Sequence, residues 1–246
     1  MKFQRTYGWV PDVPDQRDYL YSAVRPVVRL PHKVDLRENC SSVEDQKNLG
    51  SCTAQALAGN LEFLDKKTDS DYTDVSRLFI YYNERWAENT VGYDSGASIR
   101  DGIKTLKKYG ACWEESWPYV IERFTRKPSS KCYKEAQKHR IESYHRITCL
   151  SEMLTCLAER YPFVFGFTVY ESFESQKVAR TGIANMPAGK ERVIGGHAVM
   201  AVGFDQAQRR FLVRNSWGTG WGKDGYFTIP YEYLETLADD FWTIRR

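Results

Sequence analysis

The chain has 246 residues, 42% of them hydrophobic and 14% aromatic, and its 35 basic and 32 acidic side chains leave a net charge of +3. That length buries a sizeable core in one domain or two tightly joined lobes, and balanced, scattered charge argues against a nucleic-acid partner. The longest apolar run, 162–169, is too short to cross a bilayer, and Lys2, Gln4, Arg5 and Gly8 break up what a signal peptide would need, so the expectation is a chain without membrane partners, cytoplasmic as written or secreted if a leader precedes it.

Residues 1–30 combine Pro11, Pro14 and Pro26 with Asp12, Asp15 and Asp18 and hold no lasting period, which predicts an extended arm lying on another part of the surface. Tyr7, Trp9, Tyr19 and Tyr21 are its expected anchors. From Gln46 to Asp65 the pattern becomes helical, with Ala54, Leu57, Ala58, Leu61 and Leu64 forming one apolar face. Gly50 and Ser51 supply a turn and an N-cap, which puts Cys52 in the first turn. A thiol there meets unpaired N–H groups and the positive end of the helix dipole, both of which favour thiolate.

Further helices are predicted over Val75–Ala87, with Leu78, Phe79, Tyr82 and Trp86 on one side, and over Ile99–Tyr109, with Ile99, Ile103 and Leu106. The turn from Asp94 to Ser98 caps the second of these. Beyond about Ser116 the period changes. Phe163–Val169, Ala198–Phe204, Phe211–Asn215 and Tyr226–Ile229 read as strands, interrupted by one helix over Glu152–Arg160. A helical lobe of about 40–116 thus precedes a strand-rich lobe of about 117–246 joined by 31–39, with a groove between them for a site.

The six cysteines, at 40, 52, 112, 132, 149 and 156, include no C-x-x-C pair and no histidine at ligand spacing, so neither metal nor cofactor is expected. Cys112 and Cys132 flank one loop and are open to pairing or to remaining reduced. Of four histidines, His32, His139 and His145 lie among polar residues and are expected in solvent. His197 follows Gly195 and Gly196 at the mouth of a buried strand, and the next strand ends in Asn215-Ser216-Trp217-Gly218. A thiol nucleophile needs a base, and the base needs a third group to fix its ring. Two neighbouring strands can bring His197 and Asn215 to one end of a sheet for that purpose.

Gln46, Gly50-Ser51-Cys52, Gly196-His197-Ala198-Val199 and the run Asn215 to Gly222 together resemble the papain-like cysteine peptidases over about residues 31–230. His197 follows Cys52 by 145 positions and Asn215 follows it by 163. The resemblance implies an α+β, two-lobe fold, with a helical lobe, an antiparallel β-barrel-like lobe and the cleft between them. It also implies Cys52 as nucleophile, His197 as general base and then acid, Asn215 as orienter of the imidazole, and Gln46 with the Cys52 N–H as the oxyanion hole. Gly96 would pair with the substrate backbone. Ala97, Ser98, Gly166 and Ala198 would line a roomy apolar pocket for the second residue upstream of the cut, Gly196 would also bind substrate, and Trp217 would shield the Asn–His contact. The family's usual aromatic after the nucleophile is Thr53 here and its usual cysteine three positions before is Leu49, so the packing beneath the nucleophile must differ, in a pattern closer to bacterial or archaeal members. The implied activity is endopeptidase cleavage of peptide or protein substrates through an acyl-enzyme, by a monomer. A transpeptidase or amidase, or a non-catalytic peptide binder, are the alternatives. The arm is either a short inhibitory pro-segment or a structural strap.

Overall fold

In the computed structural model, which describes residues 5–26, 28–69, 72 and 74–246, the first long element is α1 (Cys52–Asp69). It starts where expected, with the Ser51 carbonyl accepting from the Gln55 N–H at 3.0 Å. The Ser51 hydroxyl does not cap it; that group pairs with the Tyr119 hydroxyl at 2.6 Å. Nor is α1 buried on one face only. Residues 51 to 65 are buried throughout, polar Thr53, Gln55, Asn60, Glu62 and Asp65 included. A helix covered on all sides is a central helix, and the reason is visible in its neighbours. On one side lie α2 (Arg77–Ala87) and α3 (Ile99–Tyr109), capped by Ser76 and Ser98; on the other lies the sheet. Trp86, expected on the buried face of α2, is 48% exposed.

The rest of the chain supplies α4 (Ser130–Ala136), β2 (Ser143–Ile147), α5 (Leu150–Ala158), β3 (Phe163–Tyr170), α6 (Gln176–Thr181), β4 (Val193–Asp205), β5 (Arg210–Arg214), β6 (Tyr226–Pro230), α7 (Tyr231–Leu237) and β7 (Ala238–Arg245). With the short β1 (Lys33–Asp35), the strands form one antiparallel sheet in the order β2-β7-β3-β4-β5-β6, β1 pairing with β4. The β-barrel-like expectation is corrected here: the sheet is open, with β2 and β6 at its two ends. Strand β7 was not predicted. Phe241, Trp242, Thr243 and Ile244 are all buried, so no alternation marks them as a strand. Phe163, Phe165 and Phe241 pack ring against ring where β3 and β7 meet.

The arm is docked by both lobes. Trp9 bridges Ala97 before α3, and Leu20 bridges Arg146 on β2. Asp12 accepts from the Arg100 N–H at 3.1 Å and from Trp242 Nε1 at 2.8 Å. His139, expected in solvent, is buried against Trp113, whose Nε1 donates to its Nε2 at 3.0 Å. The six cysteines are free thiols.

Gly203 on β4 marks a close strand contact, because a Cβ there would overlap the Val34 carbonyl of β1. Gly203→Ala should therefore push β1 off the sheet and cost about 1–3 kcal/mol, read as a lower urea midpoint. An unchanged midpoint would contradict this register.

Candidate active site

Cys52, at the tip of α1, is fully buried. Burial raises its thiol to about 11, although backbone N–H groups of Ala198, Gly8 and Thr53 at the sulfur pull the other way. His197 lies across from it on β4. The sequence placed it at the mouth of a strand; instead β4 begins at Val193, because Gly195 and Gly196 pair with Val169 and Thr168 of β3. His197 is thus inside the sheet and fully buried. Its Nε2 lies 2.8 Å from Asn215 Oδ1, which also accepts the Ser216 N–H at 2.9 Å. An oxygen that accepts twice makes Nε2 the protonated nitrogen, leaving Nδ1 with a free lone pair and no hydrogen-bond partner among the described residues. Desolvation lowers the imidazole to about 4 against the Asn215 bond, which raises it. Trp217 stacks on the ring at 4.9 Å and 26° and is itself 4% exposed, so the Asn–His bond is kept dry. Desolvation thus favours the neutral form of both thiol and imidazole.

Gln46 is held by its own neighbours. Ser216 Oγ donates to its Oε1 at 2.7 Å and the Gln46 N–H donates to the Ser216 carbonyl at 2.9 Å. That leaves Nε2 pointing into the site, where it meets the carbonyls of Leu49 at 3.0 Å and Thr6 at 3.2 Å. Asp94 steadies the same turn, accepting the Gly50 N–H and the Tyr81 hydroxyl.

Thr6 belongs to the arm, which passes through the cleft. Gly8 packs against Gly50 and Gly96: a Cβ on Gly8 would collide with the Gly50 carbonyl, and one on Gly96 with the Gly8 carbonyl. The Ala97 N–H donates to the Gly8 carbonyl at 2.8 Å, the Val10 N–H to the Ala97 carbonyl at 3.0 Å, and the Trp9 N–H to the Gly196 carbonyl at 3.1 Å. Tyr7 sets its ring edge against His197 and Trp217 and donates its hydroxyl to Glu174.

With this geometry in hand, the sequence matches the papain family of cysteine proteases over residues 30–236. The chain belongs to the papain family of cysteine proteases. Xylellain, a cysteine protease from Xylella fastidiosa, is 44% identical and superposes with a TM-score of 0.88 over 97% of this chain and 95% of its own. An uncharacterized peptidase C1-like protein of Acanthamoeba polyphaga mimivirus is 43% identical over 98% of this chain and 87% of its own length. Papain of Carica papaya is 26% identical over 82% of this chain, which spans 55% of the papain sequence. Digestive procathepsin L 3 of Tenebrio molitor, at 17% identity, a TM-score of 0.73 and coverage of 98% and 76%, shares the fold.

Within this papain-family cleft the arm meets the residues expected to line the subsites, each in its own way. The arm pairs with Ala97, not Gly96: the Gly96 N–H is taken by the Tyr81 hydroxyl at 3.1 Å, and Gly96 serves through its φ of +69° and close approach to Gly8. Ser98 is used as the cap of α3, with its own N–H on Glu88. Gly166 and Gly196 lie under the Trp9 indole, and Ala198 offers its N–H to the sulfur. The pocket is also not purely apolar, since Trp9 Nε1 donates to Asp240 Oδ2 at 3.1 Å. Burial, and then the nearby Asp12, push that carboxyl up to about 6. Beneath the nucleophile, Thr53 Oγ1 donates to Glu84 at 2.9 Å. Glu84 is wholly buried, and desolvation raises its carboxyl well above the usual range. Ser216, Asp240 and Glu84 all escaped the sequence reading. Only Ser216 carried a signal, its place inside the Asn215–Gly222 run.

No helix among the described residues is long and apolar enough to cross a membrane. Iodoacetamide modification of Cys52, followed by peptide mass, should stay slow in the intact chain at neutral pH and climb only toward about 11. Trp9→Ala, which loosens the arm and admits water, should move the climb to lower pH. Fast neutral modification of the intact chain would contradict a buried neutral thiol.

Proposed function

We propose that the chain is a thiol endopeptidase whose cleft is closed by its own N-terminal arm. The observation that carries this reading is the Thr6 carbonyl on Gln46 Nε2, an extended peptide's carbonyl held by a donor beside the nucleophile. In the reaction the Cys52 thiol gives its proton to His197 Nδ1, and the thiolate attacks the carbonyl carbon of the scissile bond. Gln46 Nε2 and the Cys52 N–H hold the oxyanion. The imidazolium returns the proton to the leaving amine as the C–N bond breaks, leaving a thioester on Cys52. Water then attacks, His197 takes its proton, and the acid leaves with the sulfur restored. Asn215 keeps Nε2 protonated throughout, so Nδ1 is the nitrogen that works.

The arm supports inhibition rather than turnover. Residues upstream of a cut belong on the Ala97 side, so a substrate's numbering falls in that direction, whereas the arm's rises from Thr6 to Val10. The sulfur faces the Gly8 N–H. The arm also keeps water from the Cys–His pair, which holds both groups neutral.

An epoxide or vinyl-sulfone thiol inhibitor should label the protein at Cys52, and Cys52→Ala should abolish that labelling; label persisting in the variant would refute the nucleophile. Trp9→Ala in the full chain should raise peptide turnover roughly tenfold or more, since a large buried aromatic anchor is lost. Equal rates would make the arm a strap with no inhibitory role.

A further inference from the structure

The Ser51 hydroxyl, which does not cap α1, is committed to Tyr119, and that pairing bears on the reaction. The Tyr119 hydroxyl has two neighbours, the Gln46 carbonyl at 3.0 Å and Ser51 Oγ at 2.6 Å. A carbonyl can only accept, so Tyr119 gives its single proton to Gln46 and accepts the proton of Ser51. Gln46 and Ser51 are fully buried, and burial raises the Tyr119 hydroxyl well above its ordinary value, so that proton stays in place. One oxygen thereby joins the two ends of the turn that presents Gln46 Nε2 on one side and the Cys52 N–H on the other.

The turn needs such a tie. Lys47, the residue after Gln46, has φ +55°, a left-handed conformation that a lysine disfavours and that persists only where its surroundings hold it. Inside the turn, the Leu49 N–H reaches the Gln46 carbonyl only at 3.3 Å. Ser216 holds the Gln46 end, through Oε1 and the backbone N–H, and Asp94 holds the other end through the Gly50 N–H. Tyr119 bonds both ends at once. Its own placement is rigid: its N–H donates to Glu114 Oε1 at 2.5 Å, Glu114 pairs with Arg77 at 3.0 Å, and the Arg77 guanidinium lies 5.8 Å from the Tyr119 ring.

We infer that Tyr119 is a positioning residue whose hydroxyl fixes the spacing between Gln46 Nε2 and the Cys52 N–H, the two donors for the oxyanion. The inference rests on the endopeptidase reading. Loss of the hydroxyl lets Lys47 relax and carries Gln46 Nε2 away from the place where the oxyanion forms. Cys52, seated in α1 against β4, keeps its position. An oxyanion donor acts on the transition state and little on the bound substrate, so kcat falls while KM holds.

The test uses the full chain carrying Trp9→Ala and one probe substrate, benzyloxycarbonyl-Phe-Arg-aminomethylcoumarin, or casein if that amide is not cut. Iodoacetamide is the second probe: it loses iodide from a saturated carbon and builds no oxyanion, so it reads the thiol alone. Tyr119→Phe, which removes one oxygen and keeps the ring, should lower kcat roughly tenfold or more and hold KM within about twofold. Cys52 alkylation, followed by peptide mass, should stay within about twofold of its rate with Tyr119 present. In a Gln46→Ala background, where the donor is already gone, Tyr119→Phe should lower kcat by less than about twofold further. If Tyr119→Phe does not fold, Ser51→Ala removes the other half of the same tie and should show the same split. An unchanged kcat, a fall in alkylation parallel to kcat, or a full further loss on top of Gln46→Ala would overturn the role of Tyr119 and leave the peptidase reading standing. Turnover of neither the amide nor casein by the Trp9→Ala chain itself would overturn both.

Discussion

A helix tip pressed against a strand is the constraint on which the molecule depends. Helix α1 runs between two helices and the sheet, and its first residue meets β4 at the Ala198 N–H. Because α1 is covered on every side, Cys52 has no freedom to drift from His197. The same burial decides the charge state. A helix dipole is worth about 0.3–1 kcal/mol to an anion, less than the ~1.4 kcal/mol that moves a thiol by one pH unit. Desolvation therefore prevails, and the sulfur stays protonated while the cleft is closed.

The arm completes that closure, and its register is set by sterics before electrostatics. Gly8 fits only where Gly50 and Gly96 leave room, and the Trp9 ring fits only over Gly166 and Gly196. A slip of one residue would drive an indole into the Gly50 backbone. The carboxylates of Asp12, Asp18 and Asp240 then lock the choice through Arg100 and Arg146. Such buried ion pairs gain little net stability, since desolvation consumes the attraction, but an arm docked wrongly would leave charges unpaired. They act here as a check on position.

Much of the catalytic constellation was legible because it is local. A glycine-serine turn before an apolar helix places a thiol at a helix tip, and Ser98 caps α3 where the pattern said it would. The histidine and asparagine motifs mark the right pair, and they meet at 2.8 Å, with His197 inside β4 and Asn215 just past the end of the adjoining β5. What could not be read is non-local. Glu84 reaches Thr53 across two helices, and Ser216 reaches Gln46 across a separation of 170 residues. Strand β7 hides because it is buried on both faces, so its residues show no alternation.

The amino-acid sequence by itself determined the family, the helical and strand-rich halves, and the residues with chemistry to offer, because turns, caps and apolar periods are properties of neighbouring positions. Only the tertiary structure decided which groups are dry, which carbonyl Gln46 faces, and that one tyrosine hydroxyl ties both ends of the turn before Cys52. Burial and long-range pairing depend on what the rest of the chain places nearby, and no local pattern of residues carries that information.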